Sequence, residues 1–459
     1  MNCGIKGIIM AIVALEISTP VAAEESADQT IEVDAVTSAT QTKRRLTLGG
    51  YGEAVMTRNF YSDNIYRYSR PYEHKDDDSH GRFDLPHVVI NLGYDFGKGW
   101  TMGTEIEFEH GGTESAVEMD ADEAGEYEAE VEKGGEVALE QFWINYKFQH
   151  LPLNIRAGEI IVPVGAANAY HMPNEFFTVY RPEGEASILP NTWHQTGVSL
   201  WGRTQQWRYE AQFLSGLDSE RFGSECFVHY GANSPYEFKI ANAYAGALRI
   251  DNYSVKGLRL SASGYIGNTF SNTLRSRSSK YADVKGTLSI GAFDFHYKNR
   301  HVTLRGNFDW AHLADANQIT AFNKNFPTHS GQDGSPSKHQ PVASDACAYA
   351  MEAGWNLFAL GNVSKLQNQS LYLFGRYEYY NSMQKGQQSD AYGWCQKKRM
   401  AVGINYMPIR EIIVKAEFSE RFFDHTGRNY TTSSGATYPL EYNNEPSVSV
   451  GITYCGWFK

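Results

Sequence analysis

The chain reads as an all-β protein: a transmembrane, antiparallel, up-and-down β-barrel of about 16 strands with long extracellular loops and short periplasmic turns. Three observations predict this. The C-terminal run Ser447-Val448-Ser449-Val450-Gly451-Ile452-Thr453-Tyr454 alternates strictly, with an apolar face and a small polar face, and an aromatic, Phe458, stands near the end. That is the pattern of a strand with lipid on one side and a wet lumen on the other. The N-terminus reads as an export signal. Between them, alternating segments are joined in turn by tight turns and by long polar loops.

The export signal is Lys6, a mostly apolar stretch over 7–17 that is too short to span a bilayer, and a small-residue cleavage site at Val21-Ala22-Ala23. Residues 1–23 are therefore expected to be a signal peptide, 24–43 a periplasmic tail and 44–459 the barrel. No later apolar run reaches about 18 residues. A membrane location must then come from strands, which satisfy their backbone by closing on themselves.

Ascending strands are expected to begin near Leu46, Trp100, Leu153, Trp207, Leu258, Val302, Leu371 and Ile412. Descending ones are expected near Phe83, Ala138, Thr196, Ala241, Val284, Ala348, Met400 and Pro446. Aromatics make up 14% of the chain and Pro only 15 residues. That suits many strands with aromatic girdles, since Pro breaks strand ladders.

Residues two apart on a strand share a face. If the apolar set meets lipid, the lumen receives Glu105, Glu107 and Glu109, Arg156, Arg208 and Glu210, Arg259, Arg305 and Asp309, Arg376 and Glu378, and Lys415 and Glu417. Two readings follow. The basic-x-acidic pairs can neutralise one another along the inner wall. Alternatively, an arginine wall faces the Glu105/Glu107/Glu109 wall and sets a field that orients permeating solutes. The long segment 164–195 after the fifth strand is the candidate constriction loop. It carries Asn168, Tyr170, His171, Asn174, Glu175, Arg181, Glu183 and Glu185.

Net charge is −12, from 41 basic and 53 acidic residues. Most of it sits between Glu114 and Glu136, which is expected to be a solvated, self-repelling surface loop. The cysteine spacing fits no metal motif, and Cys347 and Cys395 are placed where they could pair or stay as thiols. No metal site, cofactor motif, P-loop or basic patch is evident, so no nucleic-acid partner is expected. No nucleophile motif accompanies the local pair Asp309 and His312, so no enzyme activity is expected.

The run Gly158-Glu159-Ile160-Ile161-Val162-Pro163-Val164-Gly165 resembles the Gly-x-x-x-x-Pro-x-Gly element of the phosphate-selective porin O and P family. Gly197-Val198, Ile404-Asn405-Tyr406-Met407-Pro408 and the terminal Phe458 are also similar to that family. The resemblance implies a 16-stranded, trimeric porin whose constriction loop opens at this element. The basic residue that family members carry before the Pro is replaced here by Ile161 and Val162. The expected role is a passive diffusion channel for small hydrophilic solutes or ions across a Gram-negative outer membrane, in contact with its lipid and lipopolysaccharide. The alternative is a surface binding or adhesion protein that works through its long loops.

Overall fold

The computed structural model describes residues 45–458, apart from 69, 120–128, 234–237, 273–278, 325–339, 361–367, 387–392, 425–427 and 433. The expected signal peptide and tail lie outside the described residues.

Sixteen antiparallel strands follow one another around a closed barrel. They are β1 (Leu46–Asn59), β2 (Gly81–Asp84 and His87–Gly97), β3 (Trp100–Met119), β4 (Ala129–Lys147), β5 (Asn154–Ile161), β6 (His194–Arg203), β7 (Trp207–Ser215) and β8 (Tyr244–Asn252). Then come β9 (Leu258–Asn268), β10 (Thr287–Lys298), β11 (Val302–Leu313), β12 (Asp345–Asn356), β13 (Ser370–Lys385), β14 (Gln396–Ile409), β15 (Ile412–Phe423) and β16 (Glu445–Trp457). The two segments of β2 both pair with β1 and are separated at Leu85-Pro86. Pro86 cannot donate to a ladder, so the interruption falls where the ladder tolerates it.

The terminal strand closes the sheet. It pairs with β15 from Ile412↔Tyr454 and with β1 from Gly49↔Trp457 to Asn59↔Ser447. Its alternation is realised in space: Val448, Val450 and Ile452 are exposed, while Ser449 and Thr453 are buried. On the inside of this seam the Thr57 and Ser449 hydroxyls hydrogen-bond at 2.8 Å. The same rule runs around the wall. Ile144, Leu200, Leu248, Phe293, Met351 and Val402 all point outward and are exposed. Near the short turns, Trp100 packs on Tyr146, Tyr146 on Phe148, and Tyr454 stacks on Phe458. An apolar belt edged by aromatic rings is the exterior of a membrane-spanning barrel.

Fifteen of the strands begin within four residues of their expected starts; β4 begins at Ala129, nine residues early. The reason corrects one expectation. The acidic segment is not simply a loop: β3 and β4 run on past a break after Glu109 and pair again from Glu114↔Gly134 to Met119↔Ala129. Its tip, 120–128, lies outside the described residues. Of the two readings of Cys347 and Cys395, the structure has the thiols. No disulfide forms among the described residues, and Cys347 Sγ instead lies 3.5 Å from Gln384 Oε1.

The long loops do not all stand clear of the barrel. The described parts of 216–243, 269–286 and 314–344, including the helix Ala316–Lys324, bring Leu217, Phe222, Phe227, Phe270, Ile319 and Val342 into one apolar core. That core also takes inward-facing residues from the extracellular ends of the strands: Leu214, Ala245, Tyr265, Leu288, Ala311, Leu313 and Ala346.

Candidate functional site

The segment between β5 and β6 crosses the lumen. It starts from the Gly158-to-Gly165 run, and both glycines have conformational reasons to be there. Gly158 has φ 137°, and a Cβ would meet the Phe142 carbonyl of the neighbouring strand. Gly165 has φ 86°, and a Cβ would meet the Glu185 carboxylate. With no Cβ in the way, Glu185 accepts hydrogen bonds from the Ala166 and Ala167 N–H groups at 3.0 and 2.9 Å, capping the start of the turn Ala166–Ala169. Asn168 ties the loop to itself, donating to the Val164 carbonyl and accepting from the Trp193 N–H.

A backbone crossing a barrel lacks a strand to bond with, yet buried N–H and C=O groups require partners. Charged side chains of the inner wall provide them. Lys415, 1% exposed, donates through Nζ to the carbonyls of Pro173, Phe176 and Thr178 at 2.8, 3.2 and 2.9 Å. Glu417 accepts from the Val179 N–H at 2.7 Å, Glu378 from the Gly184 N–H at 2.7 Å and Glu352 from the Phe177 N–H at 3.2 Å. Arg305 donates to the Asn174 carbonyl, and Arg249 to those of Pro163 and Gly165. Charge-assisted bonds of this kind are about twice as strong as neutral ones.

Loop side chains reach both walls. Glu183 takes two hydrogen bonds from Arg421, at 2.6 and 2.7 Å, one from the Tyr380 hydroxyl at 2.8 Å, and lies 3.3 Å from Arg399. Farther round the same side, on β1 and β3, Arg181 donates to the Tyr51 hydroxyl at 2.8 Å and stands 3.4 Å from Glu107. His171 approaches Glu105 at 3.9 Å. The arginine and glutamate walls therefore face the loop between them, not each other across open water.

The wall charges are ordered by pairing. Arg208 meets Glu210 at 3.0 Å, and Arg156 meets the same carboxylate at 2.8 Å. Arg376 meets Glu378 at 2.9 Å, and Arg305 meets Glu352 at 2.7 Å. The expected Lys415/Glu417 pair does not form: Lys415 takes the loop, and Glu417 takes Arg399 at 2.7 Å. Arg259 lies 3.3 Å from Asp294 and 3.3 Å above the Tyr170 ring. Asp309 is buried, held by Asn307. His312 points to the opposite face and pairs with Asp345, so Asp309 and His312 form no dyad.

Half of this network was absent from the sequence reading. Arg249, Asp251, Asp294, Glu352 and Arg399 sit on descending strands and supply the counter-charges. The signal was present: period-two alternation on β8 puts Ala245, Ala247, Arg249 and Asp251 on one face.

A cavity remains between the loop and the wall of β9 to β13. The loop contributes Tyr170, His171, Glu175, Arg181 and Glu185; the wall contributes Arg259, His296, Arg305, Asn307 and Arg376. Glu175 faces His296 at 3.9 Å across it. The arginines line this space, while their partners Asp294, Glu352 and Glu378 are not among its lining residues.

No protein-family model matches the chain. A curated relative, an uncharacterised protein of Aquifex aeolicus, is 29% identical over 180 residues, covering 39% of this chain and 34% of that protein. The chain thus matches about a third of that relative's length. Among solved structures, OprB of Pseudomonas putida is 10% identical, with 89% of this chain and 94% of that one covered, at a TM-score of 0.51. An anion-selective porin from Comamonas acidovorans is 10% identical over 90% and 99% of the two chains, at 0.49. The outer membrane channel DcaP of Acinetobacter baumannii is 12% identical over 90% and 97%, at 0.48. With its closed ring of sixteen strands and apolar exterior, the chain has the barrel fold of the outer-membrane porins.

Proposed function

We propose that the protein is an outer-membrane porin: a passive channel through which small hydrophilic solutes or ions cross the outer membrane of a Gram-negative bacterium. The reading rests above all on the loop 162–193. It crosses the lumen and leaves a cavity against the wall, and its backbone is held in place by charged groups of the wall. A purely structural plug has no need of a cavity lined by Arg259, Arg305 and Arg376 on the wall side and Glu175, Arg181 and Glu185 on the loop side.

The passage is proposed to favour anions although the whole chain is acidic, because four guanidinium groups line the cavity against two carboxylates. Fixed charges at a constriction decide selectivity more than net charge does. A closer kinship with the phosphate-selective porins, a homotrimeric assembly, and contact with lipid and lipopolysaccharide belong to the same proposal. The pore-lining and constriction roles of the residues named above are part of it too.

The test is conductance and reversal potential of the refolded protein in a planar bilayer under a salt gradient. Discrete steps with an anion-selective potential are expected, and R305E or R376E should shift it toward cations. An unchanged potential in both variants would remove these residues from the conduction path. Silence from a well-folded barrel would favour the loop-borne binding role.

A further inference from the structure

We infer that the inner wall at β2, β3 and β4 binds a divalent transition-metal ion, with His87, Glu107 and Glu109 as ligands. The inference is independent of the proposed channel activity. His87 stands opposite Glu109 across the β2–β3 ladder, and Val89 stands opposite Glu107. Two inward glutamates therefore flank one inward histidine. His87 Nδ1 lies 2.8 Å from Glu107 Oε1 and 3.7 Å from Glu109 Oε1. One ligand atom from each residue falls within 4.8 Å of the other two. An ion that binds nitrogen and oxygen at roughly 2.0–2.2 Å spans separations of this size.

A second observation comes from β4. Glu140 is 1% exposed, its carboxyl hydrogen-bonds that of Glu107, and its Oε2 has no hydrogen-bond partner among the described residues. Glu107 and Glu140 share the guanidinium of Arg181, and the nearby Asp84 is already paired with His110 at 2.7 Å. Mixed imidazole and carboxylate donors suit zinc or manganese better than calcium, which favours an all-oxygen shell.

The experiment uses the full chain, refolded in detergent and stripped with a chelator, titrated with Zn2+ by calorimetry. One ion per chain is expected. H87Q and E109Q should weaken binding on the order of 10–100-fold while the heat-modifiable folded form is retained. R181M should tighten it, because the guanidinium competes for Glu107. Crystals of the unaltered protein soaked in Zn2+ give an answer that needs no variant: an anomalous peak between His87, Glu107 and Glu109 is expected. A folded protein that takes up no Zn2+, a peak elsewhere, affinity unmoved by H87Q and E109Q, or Ca2+ binding as tightly as Zn2+ would each overturn the inference.

Discussion

The two sides of the barrel's extracellular half are built from different materials. From β5 to β12 the inner face turns apolar toward the outside: Arg208 and Glu210 give way to Leu214 on β7, Arg249 to Ala247 and Ala245 on β8, and Asp294 to Ile290 and Leu288 on β10. There the described parts of 216–243, 269–286 and 314–344 fold in and pack as an ordinary core. From β13 round to β3 the inner face stays charged, with Glu378, Arg399, Lys415, Arg421, Glu53 and Glu107, and the lumenal loop is hung on it by single side chains. Burial of apolar area holds the first side, and directed hydrogen bonds hold the second. The same alternation thus builds a scaffold on one side and, on the proposed reading, an adjustable passage on the other.

The comparison breaks first on the apolar side. Trp193, 1% exposed, closes the lumenal loop onto that core and packs on Tyr265. W193A is expected to cost about 3–5 kcal/mol, measured by unfolding in detergent. A loss below about 1 kcal/mol would show that the core is not what holds this side.

On the charged side the effect should be smaller and more local. K415M strands three loop carbonyls that water can reach once the loop loosens, for a loss on the order of 2 kcal/mol. Limited proteolysis should then cut within 173–179 while the barrel keeps its heat-modifiable form. Global unfolding instead would make Lys415 part of the scaffold.

A pH series sharpens the contrast further. Burial, aided by the charge of Asp294, raises the Glu185 carboxyl from its usual 4.5 to about 7, against the pull of the Ala166 and Ala167 N–H groups and of Arg249. The folded loop therefore favours the protonated form. Its contribution is present in full below about pH 4.5 and is lost as the pH rises through about 7. Unfolding temperature should fall across that window, and E185Q should flatten the slope. An equal slope in both proteins would place the titrating group elsewhere. The smallest effect is expected from deleting 114–132, which removes the outer hairpin extension beyond the barrel wall. The folded form should persist, and its loss would show that the extension supports the wall.

Much of this was legible in the chain itself. A strand that meets lipid on one face and water on the other has to alternate, so fifteen strand starts, the inward placement of the glutamates and arginines, and the entry of the lumenal loop at Gly158 to Gly165 could be read residue by residue. The apolar inner faces were harder to see, because Leu214 beside Phe213 looks like a break in the pattern until a loop arrives to cover it. The outer hairpin was hidden because ten acids in one segment suggest repulsion, while a backbone ladder needs only register.

Sequence by itself determined the periodicity, and with it the barrel and the face of each side chain, since those follow from bonds between neighbours in the chain. Only the tertiary structure decided which charge meets which. Lys415 finds Pro173, Phe176 and Thr178 rather than Glu417, and Glu183 finds Arg421, because those partners lie more than two hundred residues away and are brought together by closure of the ring. Period-two spacing fixes direction, but carries no information about distance across a lumen.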